Sequence, residues 1–529
     1  MATRDTFDYV VVGAGSAGCV LANRLTASGD RSVLLLEAGG PDDQRETAIP
    51  AAFSDLFETD ADWAYDTEPQ SELRGRELYW PRGKTLGGSS SINAMIYIRG
   101  HPSDYDDWAE RGNDGWSFDE MLPQFRRAED NARGADEYHG TDGPLRVEDL
   151  RDPLDLSRAF VDACGAVDVP HNPDFNGAEQ AGAGLYQVTQ KKGQRHSAAD
   201  AYLKPVLDRE NLTAETHAQV TQVRFEDGEA AGVTYEQDGE TVRVDAEEEV
   251  VVSAGAVESP KLLMLSGVGP ADHLREHGID VVADRPGVGR NLQDHPVVPV
   301  IYGAEGTETL DDADSLWNLA KWFLLKQGPL TSNVAEAGAF VRTDDDLRAP
   351  DLQYHFGPAY FRNHGFDDAP TDAFSIGPTL VRPESRGRLE LRSADPHDDP
   401  AIDPRYLTAE RDLRTLVEGI ELAREIAAAE PLADHAGEEL HPGPDVQSEA
   451  DLEDYVREEL ETLYHPVGTC RMGQGEDAVV DERLRVRGVS GLRVVDASVM
   501  PTVTTGNTNA PTIAIAEKAA DVIRADRGA

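Results

Sequence analysis

Near the end of the chain, Tyr464-His465-Pro466-Val467-Gly468-Thr469-Cys470-Arg471-Met472-Gly473 sets one imidazole in a Pro/Gly loop that fixes its direction. A histidine so held suits proton transfer near neutral pH, although a lone histidine is more often structural. Near the beginning, Gly13-Ala14-Gly15-Ser16-Ala17-Gly18 directly follows the apolar run Tyr9-Val10-Val11-Val12. The first glycine of that spacing permits a tight turn, the second lets backbone approach a pyrophosphate, and the third lets helix and strand pack closely. Glu37 lies nineteen residues after Gly18, where a carboxylate can accept both ribose hydroxyls of an adenosine and would repel a 2′-phosphate. The two chemistries are therefore proton transfer and dinucleotide binding.

These residues need elements to aim them. Tyr9 to Val12 is too short and too β-branched for a helix and reads as a buried parallel strand. Cys19 to Ala27 has helical spacing, so its free N–H groups would face phosphates with the positive end of the helix dipole. Ser32 to Leu36 is a second strand, delivering Glu37. Trp80 to Met95 is crowded with small residues (PRGKTLGGSSSINAM), which suits backbone pressed against a flat ring such as an isoalloxazine. Leu212 to Val252 is β-rich and ends in Ser253-Ala254-Gly255-Ala256 before helical spacing at Ser259 to Leu265, a second place for backbone to approach a cofactor. Val494-Val495-Asp496 reads as the last parallel strand and Ile513 to Arg524 as the closing helix. Within Asn507-Thr508-Asn509, the first two suit helix capping and Asn509 is expected to face the site. Adjacent residues on an extended segment point opposite ways, so Asp294-His295 is not read as an acid–histidine couple and His295 is expected to be structural. Tyr354 and Phe356 alternate as on a strand and are expected, with Tyr464, to line a pocket.

Composition narrows the setting. The 529 residues carry 49 Lys+Arg against 99 Asp+Glu, a formal charge of −50, with only eight lysines. The acids are scattered through periodic segments and form no tail, which reads as a carboxylate-coated surface suited to concentrated salt and a halophilic source. That charge argues against nucleic acid and anionic membrane surfaces, which need basic patches. Cys19, Cys164 and Cys470 form neither a disulfide framework nor a metal spacing, fitting a reducing compartment. No leader is expected, since the first strand starts within ten residues of Met1, and no apolar run approaches the roughly twenty residues that span a bilayer. A cytoplasmic enzyme is expected, with peripheral membrane contact and oligomerisation left open.

Taken together these stretches resemble the glucose–methanol–choline oxidoreductase family, especially its bacterial alcohol and choline dehydrogenases. The likeness covers essentially the whole chain. Its most specific carriers are Gly83 to Asn93 (GKTLGGSSSIN), Gly255 to Gly269 (GAVESPKLLMLSGVG) and the C-terminal HPVGTCRMG, VVDASVMP and GNTNAPTIAIAEKAAD. The resemblance implies an α/β fold: a discontinuous Rossmann-like FAD-binding domain (1–100, 202–295 and 455–529) and an α+β substrate-binding domain with an antiparallel sheet (101–201 and 296–454). It implies FAD without nicotinamide, with His465 as the base that takes the hydroxyl proton of an alcohol and Asn509 as its partner. Cofactor contacts are implied at Gly13, Ala14, Gly15, Ser16, Gly18, Glu37, Ala38, Trp63, Gly87, Gly88, Asn93, Ala94, Met95, Ile96, Val220, Asp496, Ala497 and Pro511. Two departures matter. Ile92 stands where some members attach FAD through a histidine, so non-covalent FAD is expected. Choline-specific members carry a glutamate after the NLQDH-like segment; that place is read as Gly303, which favours a primary aliphatic or aromatic alcohol over choline. Electrons would pass to a quinone or other carrier, and a lyase that holds FAD without using it is the outside alternative.

Overall fold

The computed structural model describes residues 6–528 apart from 312, 314 and 315. The elements that matter here are, in chain order, strand β1 (Thr6–Val12), helix α1 (Ser16–Leu25), strand β2 (Val33–Leu36), helix α2 (Asp155–Ala166), strand β3 (Glu240–Val252), helices α3 (Gly255–Leu265) and α4 (Leu316–Leu325), strand β4 (Leu352–Gly357), helix α5 (Glu410–Ala427), strand β5 (Leu492–Val494) and helix α6 (Asn509–Gly528).

One sheet collects segments far apart in sequence. β1 lies between β2 and β3, all parallel, with Val10 opposite both Leu34 and Val250. Leu212–Glu215 extends the parallel set beyond β2. β3 is long enough to serve twice: its first half closes an antiparallel hairpin with Glu229–Gln237, and its last residues pair in parallel with β5. The apolar runs of β1, β2 and β5 are buried throughout or nearly so, as strands covered on both faces must be. The carboxyl ends of β1, β2, β3 and β5 consequently open on one crevice, delivering Gly13, Glu37, Ser253 and Asp496 side by side.

The second sheet is antiparallel: Ala436–His441, Val300–Ala304, Ala373–Leu380, β4, Ala337–Val341 and Gly182–Leu185. Helices α2 and α5 cover its outer face. Phe356 stacks on Phe160 of α2 at 4.6 Å, and the Tyr354 hydroxyl donates to the Gly419 carbonyl of α5 at 3.0 Å. The residues between them in the alternation, His355 and Gly357, face the crevice instead. Tyr354 and Phe356 therefore do not line the pocket as expected; both faces of this strand are covered, so alternation alone carried no sign of which one faced the site.

Two helices run longer than their apolar periodicity. α3 starts at Gly255, not Ser259, because Asp496 of the last strand's exit accepts the Gly255 N–H at 2.9 Å and the Ser259 hydroxyl at 2.6 Å. α6 starts at Asn509, with Pro511 in its first turn, where a missing N–H costs nothing.

Candidate active site

Between the two sheets runs a cleft of about 330 Å³, walled at one end by the glycine-rich turn after β1 and at the other by the His465 loop. Three glycines of the turn do different work. A Cβ on Gly13, at φ +95°, would sit 2.7 Å from the Ser253 carbonyl oxygen, and one on Gly18 would fall 1.9 Å from the Gly13 carbonyl oxygen. Both are demanded by packing within the protein. Gly15 is not: a Cβ there would meet only the Gly88 Cα at 4.0 Å and would project into the cleft. Space is kept open above Gly15 that the protein itself does not fill, which fits a pyrophosphate held close to backbone.

Two helix N-termini meet at this spot. The Ser16 hydroxyl, at the start of α1, donates to Asn509 Oδ1, at the start of α6, at 2.8 Å. Glu37 closes the far end. Its carboxylate accepts the Ala14 N–H at 2.8 Å and the Gly39 N–H at 2.9 Å, and burial pushes it up to about 7 against those two bonds and the pull of Lys84. Lys84 itself lies over the Trp63 ring at 4.3 Å. Along the floor, Asn93 Oδ1 accepts the Met95 N–H and a proton from Arg195, each at 2.9 Å. Arg195 also donates to the carbonyls of Thr47, Ser90 and Asn93 and so stitches the small-residue segment into place. Lacking a bonded carboxylate, its guanidinium is lowered by burial to about 9. Arg195 was not among the expected site residues, because most of its partners are main-chain oxygens, which leave no trace in residue identity.

Of the residues expected at the cofactor, Gly13, Gly15, Ser16, Glu37, Ala38, Trp63, Gly88, Asn93, Ala94, Met95, Ile96, Val220, Asp496 and Ala497 line the cleft. Ala14, Gly18, Gly87 and Pro511 stand behind its wall. Ala14 offers its N–H to Glu37 and its carbonyl to the Gly87 N–H, and Pro511 is buried in α6.

The other end is built around His465. Tyr464 precedes it at φ +69°, a conformation that costs a non-glycine residue about 1 kcal/mol or more, and its carbonyl is held by Arg82 at 2.6 Å. The His465 N–H donates to Asp294 at 2.7 Å, and that carboxylate also accepts the hydroxyls of Thr462 and Tyr406. The ring is therefore aimed by its own backbone. Asn507 Nδ2 lies 3.3 Å from His465 Nε2, and Gln353 donates to Asn507 Oδ1 at 3.2 Å, which fixes which way that amide faces. An amide N–H beside Nε2 requires a lone pair there, so the proton of the neutral ring sits on Nδ1 and is given to His295 Nδ1 at 3.0 Å. Burial holds His465 well below the usual histidine range, helped by His295, His355 and Arg82. It is a neutral ring with its basic nitrogen toward the cleft, an arrangement able to accept a proton.

Three expectations change here. Asn509 lines the cleft but bonds Ser16, and the amide beside His465 belongs to Asn507, two residues earlier. His295, expected to be structural, meets His465 ring to ring. Asp294 and His295 both reach the His465 loop because that loop wraps the segment, one touching its backbone and the other its imidazole. Gly303 pairs with Ala373 within the second sheet, away from the cleft; from the stretch after Asp294-His295 it is Val297 and Pro299 that line it.

Tyr464 lines the cleft as expected, its hydroxyl bonded to His364 Nδ1 at 2.8 Å. Around it stand Phe53, Phe57, Val297, Val334, Phe361 and Ile376, so the space in front of His465 is mostly apolar. Glu461 is the carboxylate on that wall; it accepts the Asn363 N–H at 3.1 Å and burial raises it to about 7.

Models of the GMC oxidoreductase family match residues 7–297 and 383–516. The chain is 48% identical to the alcohol dehydrogenase [acceptor] of Pseudomonas putida over 98% of its own length and 95% of that protein. It is 45% identical to the mitochondrial choline dehydrogenase of Homo sapiens, covering 99% of this chain and 90% of the relative. Among solved structures, pyridoxine 4-oxidase from Mesorbium loti superposes with a TM-score of 0.90 at 36% identity, covering 97% of this chain and 98% of that one. A variant of Aspergillus oryzae formate oxidase, examined for its FAD modification, superposes with a TM-score of 0.93 at 28% identity over the full length of both chains.

Proposed function

The chain belongs to the GMC oxidoreductase family, and from that premise we propose that it oxidises an apolar primary alcohol to its aldehyde with FAD, passing the electrons to an acceptor other than nicotinamide. The single observation that carries this is the neutral His465, its Nε2 at the cleft with only the Asn507 amide on it, a weak 3.3 Å contact that a substrate hydroxyl can replace, across the cleft from the open face of Gly15. FAD would be held by Gly13 to Ser16 and the α6 N-terminus at its pyrophosphate, by Glu37 at its adenosine, and by the Gly88 to Ile96 segment and Ala497 at its ring end. Ile92 on the cleft wall supplies no nucleophile, so the attachment is non-covalent. When bound, FAD supplies the two-electron acceptor for the carbinol C–H. The protein's part is the proton. His465 Nε2 accepts it from the substrate hydroxyl, His295 keeps the tautomer correct through Nδ1, and Asn507 Nδ2 donates to the oxygen left charged. Phe53, Phe57, Val334 and Phe361 exclude water from that exchange.

The FAD-binding domain is read as 1–100, 202–295 and 455–529, and the substrate-binding domain as 101–201 and 296–454. The acidic surface supports a cytoplasmic enzyme of a salt-rich cell. A second reading, choline oxidation, has Glu461 in its favour, a carboxylate on the cleft wall near His465 that an alkylammonium could face. Anaerobic titration of the FAD-loaded protein in concentrated KCl with linear, aromatic and quaternary-ammonium alcohols separates them. Bleaching of the yellow flavin by the first two classes is the expected result. Bleaching by choline alone selects the second reading, and no bleaching by any alcohol removes both and leaves a non-redox role such as a lyase.

A further inference from the structure

Helix α4 breaks the pattern of the rest of the surface. Among the described residues, seven large apolar side chains are exposed, and four lie here: Trp317 at 77%, Phe323 at 51%, Leu324 at 82% and Leu325 at 59%. Residues 316–335 contain no aspartate or glutamate, although the chain has 99 of them in 529 positions. The same stretch holds two of the eight lysines, Lys321 and Lys326. The helix is firmly seated. Trp322 turns inward, donates to the Gly193 carbonyl at 3.0 Å and packs with Ile49, Leu310 and Leu330, and Val334, packed against that cluster, also lines the cleft.

We propose that α4 is an interfacial seat by which the protein docks on a lipid bilayer, with Trp317 and Leu324 entering the boundary between headgroups and acyl chains. A short helix with Trp, Phe and Leu outward and lysines beside them has the composition of such a seat. Among the described residues no helix is long and apolar enough to cross a membrane, so the contact is one of lying on the surface. A second copy of the chain is the competing occupant. The four side chains expose on the order of 500 Å² together, below the roughly 800 Å² per partner of a stable interface. A paired arrangement would also bring together the rest of two surfaces each belonging to a chain of charge −50. A bilayer sets no such minimum area, and repulsion from its anionic headgroups is the part that salt screens. This inference does not depend on which alcohol is oxidised. If it holds, the cleft lies one packed layer from the phase that dissolves a quinone-type acceptor.

The test is flotation of the FAD-loaded protein with phosphatidylcholine vesicles containing a minority of phosphatidylglycerol, at about 0.1 M and about 2 M KCl. Apolar insertion opposed by overall like-charge repulsion predicts flotation that rises with salt. The double variant Trp317→Glu/Leu324→Glu should lose at least about tenfold of it, with flavin absorbance and melting temperature unchanged. Three results would overturn the seat: no flotation at either salt, flotation that falls as salt is added, or equal flotation of the variant. A dimer in light scattering that the double variant dissociates would assign the patch to a second copy instead.

Discussion

For His465 the deciding quantity is the cost of placing a proton on a ring that packing leaves only partly open to the cleft. Its neighbours are two more neutral imidazoles, a guanidinium and an amide, none of which favours an imidazolium. The ring can thus be a base from the outset, and His465→Ala should bind FAD normally while slowing alcohol-driven flavin bleaching by about 10² to 10⁴, read by stopped flow. Asn507 and Asn509 separate by position. Asn507→Leu should cost about 10² in turnover through the lost donor, whereas Asn509→Ala should leave turnover within a few-fold and loosen FAD, measured by cofactor release. His295 is 0% exposed and burial lowers it to about 3. A histidine depressed in the folded state stabilises above its ordinary value near 6.5 and loses that contribution as pH falls, because only the unfolded chain takes up the proton. Between pH 6.5 and 5, wild type should therefore lose about 2 kcal/mol relative to His295→Gln, which keeps an acceptor for His465 but does not titrate. Denaturant unfolding at the two pH values measures it.

Elements explain why equal residues have unequal roles. Gly15 and Gly18 sit three positions apart at the start of α1, yet only Gly18 is pressed against another piece of backbone, with 1.9 Å from its Cβ position to the Gly13 carbonyl oxygen against 4.0 Å from that of Gly15 to the Gly88 Cα. Gly18→Ala should cost about 3 kcal/mol of stability from overpacking against the Gly13 carbonyl. Gly15→Leu should leave the melting temperature of the apoprotein nearly unchanged and abolish FAD retention, a contrast that calorimetry and absorbance resolve together. The same logic governs β4. Gln353, His355 and Gly357 share the cleft face, with Gln353 reaching Asn507, while Tyr354 and Phe356 are clamped by α5 and α2. Alternation was legible in the sequence; its sign was not, since the deciding fact is which layer covers which face.

Over the whole molecule the controlling term is charge. The −50 is distributed over both sheets and their helices, and at low ionic strength repulsion reaches about 10 Å between exposed carboxylates. The melting temperature should rise by about 10 °C or more between roughly 0.1 M and 2 M KCl, as a scan of KCl concentration in calorimetry will show, and an unchanged value would dismiss the salt-adapted reading. The acids avoid only a few places. One is α4, and another is the cleft floor, where Arg195 is held by main-chain carbonyls and the Asn93 amide, with no carboxylate bonded to it.

Contiguous constraints were readable from the chain itself. A strand, a tight turn, a close approach and an acid at fixed distance are all properties of residues 9–37, and a Pro/Gly loop marks His465 as a histidine held in one direction, though Asp294 and Arg82 do the holding. Hence the cofactor fold, the histidine of the cleft and most of the cleft wall were legible in the residues. Partnerships across long separations were not. His295 meets His465 from 170 residues away, and Gln353 reaches Asn507 across 154, so only the closing of the two sheets on each other decides that these side chains share one hydrogen-bonded chain. The physical reason is that side-chain type sets what a residue can donate or accept, while packing alone sets what it faces.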